Sequence, residues 1–237
     1  MKNKLRKLLN KLLHSIPTKL SYLIVFIQEY SGLTNWYHPH PFKPAINKVE
    51  HRTSKDRFSA IQPYLPPNSF TTLDIGCQEG YFLFRLSVHK GLKLGIDMDE
   101  NALDYARVLA RKYKKNNVLL ANHHITKASD LDELPDFDVV ICMSIFHHWV
   151  KHFGKKEALQ ILGKVAEKTK HILVFDTGEP TEITQKWAAD MAFISPTTDE
   201  YFNEYFVKSG FAKVANVGEF DTNLSSVKRN LYVALKH

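Results

Sequence analysis

The feature that most constrains this chain is residues 71–82, TTLDIGCQEGYF, where a short apolar run leads straight into a glycine-bearing turn and a helix. Asp74, Gly76 and Gly80 form the pattern D-x-G-x-x-x-G. Gly76 permits a tight turn after a strand, and Gly80 permits close approach of backbone or ligand. The helix that begins near Gly80 presents free N–H groups to an anionic group above the turn. The pattern predicts the start of an α/β domain with a nucleotide-type cofactor site.

A second segment strengthens this prediction. The run GLKLGID ends a further strand on Asp97, which lies 21 positions after Gly76. An acidic residue at about this distance is placed to accept hydrogen bonds from ribose hydroxyls. Strand-like and helix-like runs then alternate as far as HILVFD, and this alternation predicts a parallel sheet with helices on both faces.

The chain resembles the class I S-adenosylmethionine-dependent methyltransferases in the order and spacing of four segments. These segments are LDIGCQEGYF (73–82), GIDMDENALDYAR (95–107), FDVVICMSIFHHW (137–149) and HILVFDTGEP (171–180). The resemblance covers about four-fifths of the 237 residues, from residue 50 onward. One departure is Gln78, which stands where the first motif of the family commonly has a glycine.

The resemblance implies a cofactor site for S-adenosyl-L-methionine. Asp74, Gly76 and Gly80 would line its methionine end, Asp97 would hold the ribose, and Met98 would flank the adenine. Asn122 or His123 would meet the adenine edge. The full predicted cofactor-binding set is Asp74, Gly76, Cys77, Gly80, Asp97, Met98, Asn122, His123 and Met143.

The resemblance also implies the fold class. We expect an α/β, Rossmann-like, doubly wound and mostly parallel seven-stranded sheet over residues 49–237. The last two strand-like runs, FAKVANVGEF and NLYVALKH, resemble the antiparallel C-terminal hairpin of that family. Residues 1–48 are predicted to form an amphipathic helical extension followed by a linker or lid, WYHPHPFKP, that is rich in proline and aromatic residues.

The amino-terminal extension carries most of the net charge of +7. Residues 1–28 contain six basic residues and no acid, which leaves about +1 for the rest of the chain. Leucines recur at helical spacing from Leu5 to Leu13, with lysines between them, and the predicted helix stops near Pro17. This helix can lie on an anionic membrane, or it can pack on its own domain or on a second subunit.

The apolar run LSYLIVFI (20–27) is too short to span a bilayer, which needs about 20 residues. It is also not followed by the small-residue cleavage site of a secretory signal. The sequence therefore favours a cytoplasmic protein. Its basic tail can make a peripheral contact with the inner face of a membrane. Cys77 and Cys142 are the only two cysteines, and we expect them to be a reduced, buried pair.

The segment IFHHW is the strongest candidate for chemistry beyond cofactor binding. Methyl transfer requires alignment of the acceptor, and it requires a base only where the acceptor loses a proton. Histidine suits that role near neutral pH, and we expect only one of His147 and His148 to face the acceptor. Glu179 is predicted to orient a hydroxylated acceptor, so the predicted catalytic set is His147, His148 and Glu179.

Other residues near the predicted site have two readings each. Trp149 either stacks on a flat or sugar-like acceptor or belongs to the core. Trp187, Met191 and Phe193 either line an apolar acceptor pocket or form an ordinary helix face. Adjacent histidine pairs at 123–124 and 147–148 lack a recognised metal-ligand spacing, so no metal site is predicted.

The sequence thus favours a methyltransferase that acts on a hydroxyl group of a small molecule or of a sugar or glycan precursor. An RNA-modifying methyltransferase is the main alternative, because a basic tail can contact phosphates. The alternative from another class is a cofactor-binding scaffold or regulatory subunit whose amino-terminal helix recruits a partner. An open cavity lined by His147, His148 and Glu179 would favour an enzyme, and a filled one would favour the scaffold.

Overall fold

The computed structural model describes residues 22, 23, 25–27, 29, 38–43, 53–222 and 225–236. The amphipathic helix predicted between Leu5 and Pro17, and the predicted boundary at residues 48 and 49, lie outside the described residues. Within the described part of the chain, no helix is both long and apolar enough to cross a bilayer.

Helices and strands alternate along the described chain. Their bounds are α1 (Ser54–Ile61), β1 (Thr72–Ile75), α2 (Tyr81–Leu86), β2 (Lys93–Asp97), α3 (Glu100–Lys112), β3 (Val118–Asn122), β4 (Phe137–Met143), α4 (Phe146–Glu167), β5 (Thr169–Asp176), α5 (Thr198–Lys208), β6 (Lys213–Phe220) and β7 (Arg229–Leu235). Short 3-10 turns cover Gln62–Tyr64, Ala128–Leu131 and Ala189–Met191.

The strands form one seven-stranded sheet in the order β3-β2-β1-β4-β5-β7-β6. The first five strands in this order pair in parallel, whereas β7 pairs antiparallel with both β5 and β6. The predicted α/β sheet with an antiparallel C-terminal hairpin is therefore confirmed. Because the parallel strands run the same way, the residues that follow β1, β2, β3, β4 and β5 gather at one edge of the sheet.

The central strand β4 shows why these strands are continuous apolar runs. Val140 and Cys142 belong to the same core cluster as residues of α4, whereas Val139 and Ile141 belong to the cluster that contains Phe58 of α1. Successive side chains of a strand point to opposite faces of the sheet. Both faces of β4 are therefore covered by helices, as a parallel sheet requires.

Helix α4 begins earlier than the sequence predicts. The periodic pattern indicates a helix from about Lys155 to Lys168, but the structure starts it at Phe146. Gly154 interrupts the helix with non-helical angles (φ 81°, ψ 163°), which only glycine adopts readily. The interruption separates the segment 146–153 from the periodic part, so the periodicity alone does not reveal the first segment. As a consequence, His147 and His148 lie in the first turn of a helix.

The amino-terminal residues described between 22 and 29 are helical and pack on the domain. Val25 is fully buried in a cluster with Val108 and Leu109 of α3. The buried Glu29 carboxylate accepts hydrogen bonds from the Nζ atoms of Lys43 and Lys112, each at 2.8 Å. For this part of the extension, the structure shows packing on its own domain.

Candidate active site

A cavity of 680 Å³ opens at the carboxyl ends of the parallel strands. Its walls include Asp74, Gly76 and Cys77 after β1, Asp97 and Met98 after β2, and His123 after β3. The volume lies within the range of small-molecule sites in proteins. The cavity continues past β4 and β5, where polar and aromatic side chains line it.

Asp97 is held rigidly at the end of β2. Its Oδ1 accepts a hydrogen bond from the backbone N–H of Asp99, and its Oδ2 accepts one from the backbone N–H of Gln78, each at 2.8 Å. Burial raises the pKa of the Asp97 carboxyl, although these backbone donors lower it. Each carboxylate oxygen has two lone-pair sites, so Asp97 can still accept hydrogen bonds from a ligand.

The turn after β1 depends on backbone conformations of the left-handed region. Gly76 and Gly80 have φ of 74° and 76°, and a Cβ on Gly76 would lie 3.0 Å from Ile145 Cδ1. Gln78, at the position where the resembling family has glycine, also has a positive φ of 49°. Gly80 does not line the cavity; it precedes α2 and packs closely on the Phe84 ring. It therefore shapes the turn from outside the cavity.

Of the residues predicted to meet the adenine, two line the cavity and one supports a loop beside it. Met98 and His123 line the cavity, and Met98 is 65% exposed. Asn122 does not line it, because its Nδ2 donates to the backbone carbonyls of Asp97 and Met98 at 3.3 and 3.1 Å. Asn122 braces the loop after β2, and His123 lines the cavity while its Nε2 bonds the Asp130 backbone carbonyl at 2.8 Å.

Cys77 and Met143 line the cavity, and Cys142 lies in β4 next to β1. Both cysteines are free thiols and buried. Burial raises the pKa of both thiols well above its ordinary value, and the Asp74 carboxylate adds to this effect. Protonated thiols are poor nucleophiles, so both cysteines act as small apolar residues.

His147 and His148 both line the cavity, with ring centroids 4.3 Å apart. The first turn of α4 places both histidines at the cavity wall. His147 is buried, and its Nδ1 accepts a hydrogen bond from the backbone N–H of Gly178 at 3.0 Å. His148 is exposed to the solvent.

Trp187 forms the wall next to His147. The two rings lie 4.5 Å apart between centroids, and a Cβ on Gly178 would lie 2.1 Å from the indole. Only glycine at position 178 therefore leaves room for Trp187. Trp149 lines the cavity and also belongs to the core, whereas Met191 is fully buried and Phe193 packs against the core. Of the predicted apolar set, Trp187 alone lines the cavity.

Glu179 lies away from the predicted position. It does not line the cavity, and its carboxylate accepts hydrogen bonds from the Thr198 hydroxyl and from Asn230 Nδ2, the latter at 3.0 Å. Burial raises the pKa of Glu179. Its contacts tie the loop after β5 to α5 and β7, so its place in the structure is a supporting one.

Several cavity residues give no signal in the sequence. Arg57 of α1 pairs with Asp176 at the end of β5, and Arg229 of β7 pairs with Glu182 through Nε at 2.7 Å and Nη2 at 3.1 Å. His38 lines the cavity and shares a 2.8 Å hydrogen bond with the Ser54 hydroxyl. These residues lie far apart in sequence, and only the folded chain brings them together.

The family is decided by a match over most of the domain. A family model described as a methyltransferase domain matches residues 68–214, which is more than half of the 237 residues. The chain belongs to this methyltransferase domain family. The chain therefore carries a methyltransferase domain, and the predicted resemblance to the S-adenosylmethionine-dependent methyltransferases is confirmed. The cavity is open, and His147 and His148 line it whereas Glu179 does not.

Two kinds of curated relative are similar to the methyltransferase. The O-antigen chain terminator bifunctional methyltransferase/kinase WbdD of Escherichia coli is 27% identical over 168 residues, which cover 70% of this chain and 22% of that protein. The tRNA U34 carboxymethyltransferase of Actinobacillus succinogenes is 26% identical over 178 residues, which cover 73% of this chain and 55% of that protein. The chain thus spans about a fifth of the first relative and about half of the second.

Solved structures share the fold. The crystal structure of WbdD superposes with a TM-score of 0.65 at 24% identity, covering 84% of this chain and 43% of that one. Magnesium protoporphyrin IX methyltransferase (ChlM) from Synechocystis, with bound SAH, gives a TM-score of 0.60 at 15% identity and covers 91% of this chain and 99% of that one. These likenesses concern the fold of the methyltransferase.

The residues at the methionine end fit the cofactor. The Asp74 side chain is 4% exposed, and its Oδ2 has no hydrogen-bond partner. Burial, reinforced by the nearby Asp97 carboxylate, raises the pKa of Asp74 well above its ordinary value. An unpartnered buried oxygen is costly unless a ligand supplies the donor. The ammonium group of S-adenosylmethionine is such a donor, and it would favour the ionised form of Asp74.

The described residues contain no group of three or more His, Cys, Asp and Glu side chains arranged to hold a metal ion. The six histidines at positions 38, 123, 124, 147, 148 and 152 all line the cavity of the methyltransferase. They contribute imidazole groups to its wall without forming a ligand cluster among themselves.

Proposed function

We propose that the methyltransferase transfers a methyl group to a hydroxyl-type acceptor on a small molecule or on a sugar or glycan precursor. The observation that carries this proposal is the continuity of the cavity from Asp97 past β4 to His148, Trp149 and Trp187. Indole rings provide flat apolar surfaces that suit a sugar or a planar acceptor. The similarity to a glycan-terminating methyltransferase supports the same acceptor class.

The proposed cofactor site uses Asp97 for the ribose hydroxyls, Asp74 for the ammonium group, and Met98 and His123 for the adenine. S-adenosylmethionine supplies an activated methyl group on its sulfonium. Alignment of the acceptor with that methyl group contributes most to the rate, because a correctly positioned pair reacts as one unit. Trp149 and Trp187 are the rigid side chains that we assign to this alignment.

The two histidines have different proton roles in this proposal. Gly178 donates its N–H to His147 Nδ1, so the neutral His147 ring carries its proton on Nε2. His147 therefore serves as a hydrogen-bond donor toward the acceptor. The exposed His148 can exchange protons with the solvent, and we assign it as the general base that removes the acceptor's hydroxyl proton.

Replacing His148 by alanine is expected to lower the turnover number about 100-fold or more, because general-base catalysis typically contributes at least that factor. The Kd of S-adenosylmethionine should stay unchanged. His152→Ala is the matched control, since His152 is an exposed, cavity-lining histidine of the same helix. Turnover by His148→Ala at the wild-type rate, measured with labelled methyl donor, would remove His148 from the mechanism.

The acceptor class is tested by methyl-transfer assays with labelled S-adenosylmethionine. Glycan precursors, lipid-linked sugars, small hydroxylated compounds and RNA are offered in parallel under lipid-free conditions. Labelling of a hydroxylated small molecule or sugar supports the proposal. Labelling of RNA alone overturns it.

RNA remains the second candidate acceptor because a relative is a tRNA-modifying enzyme. Binding of RNA through several phosphate contacts weakens steeply with salt. Between 50 and 200 mM salt, an RNA acceptor that makes about six such contacts should lose about 1,000-fold in affinity. A glycan-type acceptor that makes at most one ionic contact should show a far weaker dependence of KM on salt.

We also propose that the basic segment before residue 22 contacts an anionic membrane, where lipid-linked precursors lie. Each basic residue near such a surface contributes about 1 kcal/mol, so replacing Lys2, Lys4, Arg6 and Lys7 by glutamine should weaken vesicle binding at least about 100-fold. Cosedimentation with phosphatidylglycerol vesicles measures this. The control replaces four exposed lysines of the domain, which are Lys151, Lys156, Lys186 and Lys213. Equal binding by the two variants would contradict the proposal.

A further inference from the structure

Two buried N–H groups of the Arg57 guanidinium have no hydrogen-bond acceptor among the residues described above. The Arg57 side chain is 6% exposed and lines the cavity, and its Nη1 pairs with the Asp176 carboxylate. Its Nε and Nη2 atoms are buried and have no hydrogen-bond partner. Buried donors are almost always paired in native proteins, so a ligand or a water has to meet these two N–H groups.

The two unpartnered atoms belong to one edge of the planar guanidinium. The N–H bonds of Nε and Nη2 run side by side, and this spacing matches the two oxygens of a carboxylate or a phosphate. Lysine cannot reproduce this geometry, because it presents a single charged nitrogen. The free edge of Arg57 is therefore a two-donor site for an anionic group.

The carboxylate that anchors Arg57 is held in place by three hydrogen bonds. Asp176 Oδ1 accepts hydrogen bonds from the Ser144 backbone N–H at 2.6 Å and from the Ser144 hydroxyl at 2.9 Å, while Oδ2 accepts from Arg57. The Ser144 hydroxyl is also 3.3 Å from Nη1 of Arg229. The Ser144 hydroxyl thus lies between the Asp176 carboxylate and the buried Arg229 guanidinium, which pairs with Glu182.

The position of Arg57 places this edge on the acceptor side of the cavity. Asp176 ends β5, and the Phe220 ring of β6 lies 5.8 Å from the Arg57 guanidinium carbon. In the sheet order, β5 is three strands away from β2, whose end carries Asp97. Neighbouring strands are about 4.8 Å apart, so β5 and β2 are separated by about 14 Å. The ribose end of the cofactor site is therefore remote from Arg57.

We infer that the acceptor carries an anionic group, a carboxylate or a phosphate, which binds the Nε and Nη2 edge of Arg57. This inference rests on the proposed function and narrows it to hydroxylated or glycan-type acceptors that bear such a group. The acceptor's anion lies beside Asp176 and Ser144, and its methylated oxygen lies toward His148. A carboxylate of the cofactor's methionine end is the competing source of the anion.

The test is a calorimetric titration of the full chain, saturated with S-adenosylhomocysteine, with inorganic phosphate and separately with acetate. Wild-type protein should bind at least one of the two anions in the millimolar range. Arg57→Met should weaken that binding at least 10-fold while S-adenosylhomocysteine affinity stays within 3-fold. Arg57→Lys keeps the charge beside Asp176 and should fold like the wild type. Its affinity for the anion should nevertheless fall at least 5-fold.

The control is Arg85→Met. Arg85 is an exposed arginine of α2 that does not line the cavity. Like Arg57, it lies over a phenylalanine ring, since its guanidinium carbon is 5.1 Å from the centre of the Phe58 ring. Anion binding that is equal in wild type and both Arg57 variants overturns the inference. It is also overturned if phosphate displaces S-adenosylhomocysteine, or if Arg57→Met weakens S-adenosylhomocysteine but not methylthioadenosine, which lacks the carboxylate. These readouts need no acceptor, so their outcome is independent of the methyl-transfer assays.

Discussion

Asp97→Ala should bind S-adenosylmethionine at least about 100-fold more weakly than the wild type. Hydrogen bonds to a charged carboxylate are worth about 1.5–3 kcal/mol each, and two ribose hydroxyls are proposed to donate to Asp97. The substitution also removes the acceptor for the backbone N–H groups of Gln78 and Asp99. The loops after β1 and β2 would therefore lose a shared anchor as well as a ligand contact.

Calorimetric titration with S-adenosylmethionine and with S-adenosylhomocysteine, in metal-free buffer, measures the effect. Asp97→Asn keeps one acceptor oxygen, so its loss should be smaller, at about 10-fold. Asp136→Asn, which removes a carboxylate that is 53% exposed on the surface, should leave the Kd unchanged. Unchanged affinity in Asp97→Ala would remove Asp97 from the cofactor site.

Glu182→Gln should lower the free energy of unfolding by about 3–5 kcal/mol, the usual cost of removing one partner from a buried ion pair. Both side chains of the Glu182–Arg229 pair are fully buried, and the two residues share a bidentate contact. Without the carboxylate, the Arg229 guanidinium stays buried beside Trp187 with no opposite charge. The substitution keeps a single acceptor oxygen, so the bidentate contact with Arg229 is lost even where the hydrogen bond from the Glu179 backbone N–H is kept.

Urea unfolding of the full chain measures this effect. Glu204→Gln is the control, because the Lys208–Glu204 pair is exposed and such pairs contribute about 0–1 kcal/mol. The double variant Glu182→Met/Arg229→Met replaces both charges by apolar groups and should recover most of the lost stability. A Glu182→Gln variant as stable as Glu204→Gln would contradict the proposed importance of the pair.

The parts of the fold that the sequence predicts are those with local signals. The strand, glycine turn and helix at 71–82 lie where the pattern predicts them, and Asp97 ends the next strand. The apolar runs predict the parallel strands because each one is buried on both faces. Gly154 shows the limit of this reasoning, because a single residue interrupts the period and conceals the first turn of α4.

The remainder of the site depends on contacts between distant parts of the chain. Arg57 and Asp176 are 119 positions apart, and Glu182 and Arg229 are 47 apart. No periodicity connects such pairs, so the sequence alone cannot distinguish them from surface charges. Because it follows β5, Glu179 is predicted to line the cavity. Its hydrogen bonds to Thr198 of α5 and Asn230 of β7 hold it away from the cavity instead.

The contacts of Glu29 with His40, Lys43 and Lys112 determine which variants can test the role of the amino-terminal segment. Glu29 joins the helical residues near 25 to Lys112, and it also holds Lys43 and His40, a few positions after the cavity residue His38. A truncation at residue 49 would remove the basic tail together with the cavity residue His38 and the contacts of Glu29. Loss of activity after such a deletion would therefore not report on lipid attachment. Charge replacements that leave the chain length intact separate the two effects.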